Sequence, residues 1–427
     1  MLRIIAYCEH LTLWGCAIIG KKFHVKVELT MPEETGTLSQ NAERRTQNAE
    51  RHIYTQNLPV RIAHIIGKAR NGGVEAAVLN YYKYIDHTKI QYDFIFDEDS
   101  THIPEKFITD LGGKIIIIPP YQKPIAYHNA LYKLFKEKKY PLVYSHLNTL
   151  SVFPLFAAWR AGIPIRSAHS HTTAGRGHGE TKRNIMKYIL RNFSRVFPTE
   201  LCACSRLAGE FQFGRKAMQS GRVLIWPNAI ETERYAYNES VRQQTRKALK
   251  LTDKFIVGHA GRFMTQKNHK FLIDIFAEIH KRRQDSVLLL AGDGPLMDEV
   301  RDKVSGLGLS ECVVFLGSVN DMEKYYQAMD VFILPSLYEG LPVVGSEVQV
   351  SGLPFLCADT VTPETKFCDN LHFISLKESA SAWAREALRI SDGHVRRDMS
   401  KFASEAGFDV KAQAQKLTKW YCTLLGI

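Results

Sequence analysis

Two glutamates, Glu339 and Glu347, stand eight positions apart in the otherwise apolar run SLYEGLPVVGSEVQVSGLP, Ser336 to Pro354. Acids so placed could serve three chemistries: the carboxylate pair of a hydrolase, a clamp for a ligand, or ordinary chemistry at a helix terminus. Pro342 falls where a helix would begin, at the favoured first-turn position. That puts Gly340, Leu341 and Val343 at a helix N-terminus, whose free N–H groups can receive an anion. Glu339 then precedes the turn, and Glu347 sits inside the helix more than one turn further on. A hydrolytic pair projects from separate elements across a scissile bond, roughly 5–10 Å apart. This pair is better arranged to grip a ligand along its length.

A second candidate lies upstream. GHAGRFMTQKNH holds Arg262 and Lys267 five apart in a loop between a strand and a helix. A planar guanidinium fork beside a compact ammonium suits a diphosphate, although two solvated surface cations would give the same local pattern. AGDGPL, further on, is a turn that many strand–helix junctions adopt for conformational reasons alone. In the first half, His169 and His171 alternate along IRSAHSH, so both rings project from one face. A metal reading needs a third ligand, and none stands at readable spacing. His169 reads equally well as a core histidine. His146, in LVYSHLN, ends a strand.

These residues are spaced by a regular alternation. The runs VRIAHIIG, YDFIFDE, KIIIIPPY, LVYSHLN and IRSAHSH read as buried strands separated by helical patterns. The pattern restarts near Phe255 with FIVGHAG, SVLLLAG, VVFLG, VFILPS and PFLCAD. This predicts an α/β chain of two Rossmann-like, doubly wound parallel-sheet domains. Ligands in such sheets sit beyond the carboxyl ends of the strands, so two facing units make an interdomain cleft. The boundaries expected are an extension over 1–58, a first sheet domain over 59–228, a second over 229–405 and a C-terminal helix over 406–427 that crosses back to the first domain. The extension repeats QNAER with a period of seven and is too polar for a coiled-coil seam, so it reads as disordered or loosely helical.

Composition narrows the classes. At 427 residues, 45% hydrophobic and 23% charged, the chain has the make-up of a globular protein of two domains. No apolar run reaches the roughly 18 residues of a membrane-spanning helix. The nearest, Ile4 to Gly20, is broken by Glu9 and His10 and lacks the basic start of a signal peptide. Eight scattered cysteines form no CxxC and read as reduced thiols of a cytosolic enzyme. The net charge of +12 is confined to the middle: residues 59–230 hold 24 Lys+Arg against 12 Asp+Glu, while residues 231–427 hold 25 against 26. Within that basic part, Glu180 to Phe197 spaces Arg183, Lys187, Arg191 and Arg195 four apart, beside Ile185, Ile189, Leu190, Phe193 and Val196. A cationic amphipathic helix of this kind suits an anionic membrane surface, and equally a packed helix with a solvated basic face.

Taken together and in this order, GRFMTQKNH, LLLAGDGPL, VVFLG and PSLYEGLPVVGSEVQVSGLP resemble the retaining glycosyltransferases of family 4, which have the GT-B fold. HIIGKARNGGVE, YSHLN, RSAHSHTT and ACSRLAG resemble the branch that builds bacterial exopolysaccharide and capsule. The resemblance spans about residues 60–405 and leaves the extension uncovered. It implies that Glu339 and Glu347 are the family's E-x7-E pair, with Glu339 on the transferred sugar and Glu347 on the ribose hydroxyls. Arg262 and Lys267 would hold the donor diphosphate as its charge develops, without a metal or other cofactor. The Gly340, Leu341, Pro342 and Val343 backbone would lie near sugar and phosphate, and Gly72 and Gly73 would form the N-terminal glycine turn. His171 would be the active-site histidine, with His169 the second choice; residues 59–228 would be the acceptor domain, with His146 and His169 on the acceptor side, and residues 229–405 the donor domain.

The implied reaction moves a hexosyl or N-acetylhexosaminyl group from a nucleotide-diphosphate sugar, UDP favoured over GDP, to a glycan or polyprenyl-diphosphate-linked sugar. The implied enzyme is cytoplasmic, peripheral on the inner face of the cell membrane. Two other readings compete: a GT-B nucleotide-sugar epimerase, and a polyanion-binding protein prompted by the charge. Nucleic acid is a poor partner, because the basic stretch lacks an aromatic stacking pattern. GKARNGG is not the G-x-G-x-x-G of a dinucleotide site.

Overall fold

The computed structural model describes residues 59–69, 72–172 and 181–427. The expected extension over 1–58 lies outside these, as do Arg70, Asn71, Thr173, Glu180 and the side chains of Arg183 and Ile185. Two wholly parallel sheets carry the chain. The first holds β1 (Val60–Gly67), β2 (Ile90–Asp97), β3 (Lys114–Ile118), β4 (Leu142–Ser145), β5 (Ile165–Ser170), β6 (Glu200–Ala203) and β7 (Val223–Ile225). The second holds β8 (Phe255–Ala260), β9 (Ser286–Ala291), β10 (Val313–Gly317), β11 (Val331–Leu334), β12 (Phe355–Ala358) and β13 (Leu371–Ile374). Their orders are β3-β2-β1-β4-β5-β6-β7 and β10-β9-β8-β11-β12-β13. Each order reverses beside the first strand of its unit, at β1/β4 and at β8/β11, which is where a doubly wound sheet opens a crevice.

Strands covered on both faces must be apolar throughout, and the central ones are. Ile62, Ala63 and Ile65 in β1, and Phe332, Ile333 and Leu334 in β11, are fully buried. Each sheet has one hydrophobic layer on either side, built from the crossover helices. Five strands per unit were expected, and the structure adds β6, β7 and β13. These are three or four residues long, so ELCA, VLI and LHFI are too brief to show a period of their own.

The last helix, Val410–Leu425, packs on the first sheet although it follows the second. Asp409 caps it, its carboxylate accepting from Ala412 N at 2.8 Å. Val410, Ala414, Leu417, Tyr421 and Leu425 recur at three- and four-residue steps and join the aromatic layer of Tyr82, Tyr92 and Phe94. The two passages of chain between the units run side by side. Ile230 N donates to Phe408 O, and Val410 N to Ile230 O, both at 2.9 Å.

The basic segment is shorter than its spacing predicts. Its helix spans Thr181–Arg191, so Arg195 is not on the same helix face as Lys187 and Arg191. Asn192, Phe193 and Ser194 donate to the carbonyls three residues back, the tightening that ends a helix. Leu190 is buried, whereas Ile189 and Val196 are exposed.

Candidate active site at the seam between the two sheets

The motif helix runs Val343–Val350, and Pro342 is its N-cap with φ −69° and ψ 126°, not its first residue. The ring fixes φ but leaves ψ extended, so the helix starts one residue later than expected. Before it, Glu339 is 7% exposed and its backbone bridges Val361. Its carboxylate accepts from Lys267 Nζ at 2.7 Å and from Gln266 Nε2 at 3.0 Å. Leu337 N donates to Gln266 O at 2.8 Å, which ties the two motif loops together through backbone as well.

Lys267 ends a short 3₁₀ turn, Thr265–Lys267, and Asn268 follows in the left-handed region before helix His269–Arg282 begins. The GDGP turn has a packing role here. A Cβ at Gly292 would overlap the carbonyl of Gly261, so only glycine lets that turn lie against the GRF loop. Arg262 is half-buried and forms no hydrogen bond or ion pair with the described residues. Lys267 is already committed to Glu339, which leaves Arg262 the uncommitted cation of the loop.

The first sheet supplies the facing wall. His171 follows β5, and its N–H and that of Thr172 donate to Asn148 Oδ1 at 2.6 and 3.1 Å. The Gly340 backbone lies directly on this corner: a Cβ there would overlap the His171 carbonyl and sit 3.0 Å from Thr172 Cα. Asn228 Nδ2 donates to Leu341 O at 2.6 Å, and Ser205 Oγ to Gly340 O at 3.3 Å. Glu364 of the second unit accepts from Arg206 N and Leu207 N at the start of helix Arg206–Phe213. Gly73, the first residue of helix Gly73–Tyr84, would bring a Cβ within 3.9 Å of Val343 Cγ2. Gly72 caps that helix with φ −105°, a conformation open to any residue.

Glu339, Lys267, Gly340 to Val343, Gly73 and His171 therefore converge on one seam. Glu347 lies deeper along its helix. It accepts from Tyr326 Oη at 2.7 Å, and burial raises its pKa against the pull of that bond.

His146, His169 and His171 are brought together, and the third ligand absent from the spacing is His146, supplied by β4. The rings do not converge on one point. His169 and His171 stack with centroids 4.0 Å apart and planes 18° apart. Nitrogen lone pairs lie in the ring plane, so two nearly parallel, stacked rings cannot both direct one at an ion about 2 Å from each. Burial lowers the pKa of all three, that of His171 to about 4, with Asn228 acting in the opposite direction. The cluster is neutral at pH 7. Asn228, Ser205, Gln266 and Asn148 were not picked out from the sequence; WPNAI, with a polar residue between two apolar ones at the unit junction, was the one legible signal.

Another unpicked group is Asp97, at the carboxyl end of β2. It is 2% exposed, and its Oδ1 has no partner among the described residues. Burial first, then Asp99, raises its pKa to about 6. The folded chain therefore binds a proton that the unfolded chain releases near pH 4. Stability attributable to Asp97 should fall as pH rises from about 4 to about 6 and stay flat above. The amplitude is on the order of 3 kcal/mol. Thermal melts of Asp97→Asn across this range should lose that slope; an unchanged slope would show that Asp97 titrates normally.

Comparison with known proteins bears on the family of the chain. Residues 71–234 match the model for Glycosyltransferase Family 4, and residues 254–392 that for Glycosyl transferases group 1. EpsF of Bacillus subtilis (strain 168), which is named as a glycosyltransferase, is 32% identical over 84% of this chain and 96% of its own. The UDP-Gal:alpha-D-GlcNAc-diphosphoundecaprenol alpha-1,3-galactosyltransferase of Escherichia coli is 24% identical over 86% of this chain and 97% of its own. Among solved structures, Anabaena Alr3699/HepE in complex with UDP-glucose superposes with a TM-score of 0.68 at 18% identity, over 85% of this chain and 99% of that one. That likeness establishes the GT-B fold. With both sheet units matched and a relative aligned over nearly its whole length, the chain belongs to glycosyltransferase family 4 and is a glycosyltransferase.

Proposed function

We propose that the protein transfers a sugar, with retention of anomeric configuration and without a metal, from a UDP-sugar to a lipid-linked sugar in surface-polysaccharide synthesis. The observation that carries this reading is the buried Lys267–Glu339 pair, 2.7 Å apart, set beside the motif helix and opposite His171. Such a pair offers a cation to a diphosphate and an acceptor to sugar hydroxyls a few ångströms apart. Glu339 is held by both Lys267 and Gln266, which suits a hydroxyl acceptor better than a nucleophile. UDP as the donor nucleotide is supported by its presence with the structural relative, and a lipid-linked acceptor by the name of the Escherichia coli relative.

Purified protein should be screened by thermal shift against UDP, GDP, ADP and their sugar conjugates, with and without chelator. At a hundredfold excess over Kd, a ligand stabilises by about 2.7 kcal/mol, a shift of several degrees. Stabilisation by UDP and UDP-sugars, unaffected by chelator and largely lost in Arg262→Ala, is expected. No shift with any nucleotide would remove the donor assignment.

A membrane-facing surface belongs to the same proposal. Trp159 is 54% exposed and Val196 60%, and the Trp159 and Phe197 rings lie 5.9 Å apart between them. Arg160 and Arg195 flank this apolar pair in sequence. Together they present an aromatic anchor beside cations, a combination that favours anionic headgroups. Flotation with phosphatidylglycerol vesicles should recover the protein at low salt, and Trp159→Ala should weaken it. Equal recovery with neutral phosphatidylcholine vesicles would count against an electrostatic contribution.

A further inference from the structure

The buried histidines are more than a lining for the seam. His64 Nδ1 lies 3.0 Å from His146 Nε2, and His146 Nδ1 lies 3.0 Å from His171 Nε2. At the far end, Tyr421 Oη on the C-terminal helix lies 3.4 Å from His64 Nε2, and Tyr92 Oη donates to Tyr421 Oη at 3.1 Å. All five side chains are nine-tenths buried or more. Five groups drawn from β1, β2, the ends of β4 and β5, and the last helix thus form one unbranched line that ends at the active-site corner.

A neutral imidazole has one N–H and one lone pair, so a line of histidines can point its protons in only one of two directions. If they pointed away from His171, the Tyr92 hydroxyl would be left as a buried donor with no acceptor among the described residues. A stranded buried donor is penalised. If they point toward His171, each donor up to His146 is met. The one N–H remaining is the buried His171 Nδ1, and its neighbour is Asn228, whose Nδ2 is spent on Leu341 O and whose Oδ1 is left to accept. His169 stands outside the line, its Nδ1 bonded to Tyr144 Oη at 3.0 Å.

We propose that Tyr92, Tyr421, His64 and His146 are positioning residues that fix His171 as its Nδ1–H tautomer, so that this N–H holds the Asn228 amide that binds the motif turn at Leu341 O. What the held motif turn contributes to turnover rests on the transferase reading. The tautomer itself does not rest on that reading. The arrangement also gives the C-terminal helix a part in the active site, through the Tyr421 hydroxyl.

The test is ring-nitrogen NMR on protein labelled with ¹⁵N-histidine, with signals assigned by single His→Gln variants. His64, His146 and His171 are each expected to carry the proton on Nδ1, against the Nε2–H preference of a histidine side chain in water. Tyr421→Phe removes one hydroxyl and little volume. It should turn the three into tautomer mixtures and lower kcat about three- to tenfold, as expected for one hydrogen bond, with the donor KM within about twofold. A proton on His171 Nε2 in the wild type, or ring signals unchanged in Tyr421→Phe, would overturn the proposal. The wild-type spectrum decides the tautomer even if the variant does not fold. It needs no turnover, so a failure to transfer sugar from any donor would count against the transferase reading alone.

Discussion

Glu339→Gln and Lys267→Ala should each reduce sugar transfer by at least about a hundredfold while leaving the fold in place. The expectation follows from position. The two side chains are about nine-tenths buried and in contact, so each is the other's counter-charge. An ammonium aimed at a leaving diphosphate in a dry site contributes far more than in water, and loss of one such group typically costs about 10² to 10³ in kcat. Lys267→Ala removes that cation and also leaves Glu339 to repel the donor phosphates. Glu339→Gln keeps the shape and the Gln266 contact but turns a strong acceptor for sugar hydroxyls into a weak one. Steady-state kinetics with the donor found by thermal shift, beside circular dichroism and melting of each variant, provides the check. Near-normal turnover by either folded variant would sink the assignment.

Gly340→Ala should cost about ten- to a hundredfold in kcat through geometry alone. The added methyl would overlap the His171 carbonyl and crowd Thr172 Cα, backbone atoms that no rotamer change can move. The two units would have to separate at the corner where their functional groups meet. A misplacement of about 1 Å in a reacting site can cost about 10²-fold. Gly306→Ala, at the end of helix Met297–Gly306 with nothing within 4 Å of the new carbon, is the matched control and should be silent. Equal activity in the two variants would mean that the units do not close as described.

What could be read from the sequence, and what could not, follows from range. The parallel sheets announced themselves because strands buried on both faces must be apolar runs, and the E-x7-E helix because Pro and Gly mark its start. Glu339, Lys267 and His171 could be named through the family's motif order, although they lie on three different elements. The Lys267–Glu339 contact spans 72 positions, and no local pattern encodes it. Asn228 and Asn148 act through side-chain bonds to backbone elsewhere, which leaves no periodic trace. His64 carries no local mark within VRIAHIIG, since its partners come from the end of β4 and from a helix over 350 residues away. The basic helix was read too long because a four-residue charge spacing continues past the point where Asn192 and Ser194 end the hydrogen-bond ladder.

The return of the last helix to the first sheet has a consequence for how the protein is made. Synthesis proceeds from the N-terminus, and the first sheet leaves the ribosome well before its covering helix exists. Tyr92 and Phe94 must wait, on one face, for Val410, Leu417 and Tyr421. The second unit, by contrast, holds its strands in one stretch of chain and can close as soon as it emerges. The order of the units along the gene is therefore the reverse of the order in which their cores can be completed. A stop codon between Phe408 and Tyr421 would leave the earlier-made half, not the later one, unfinished.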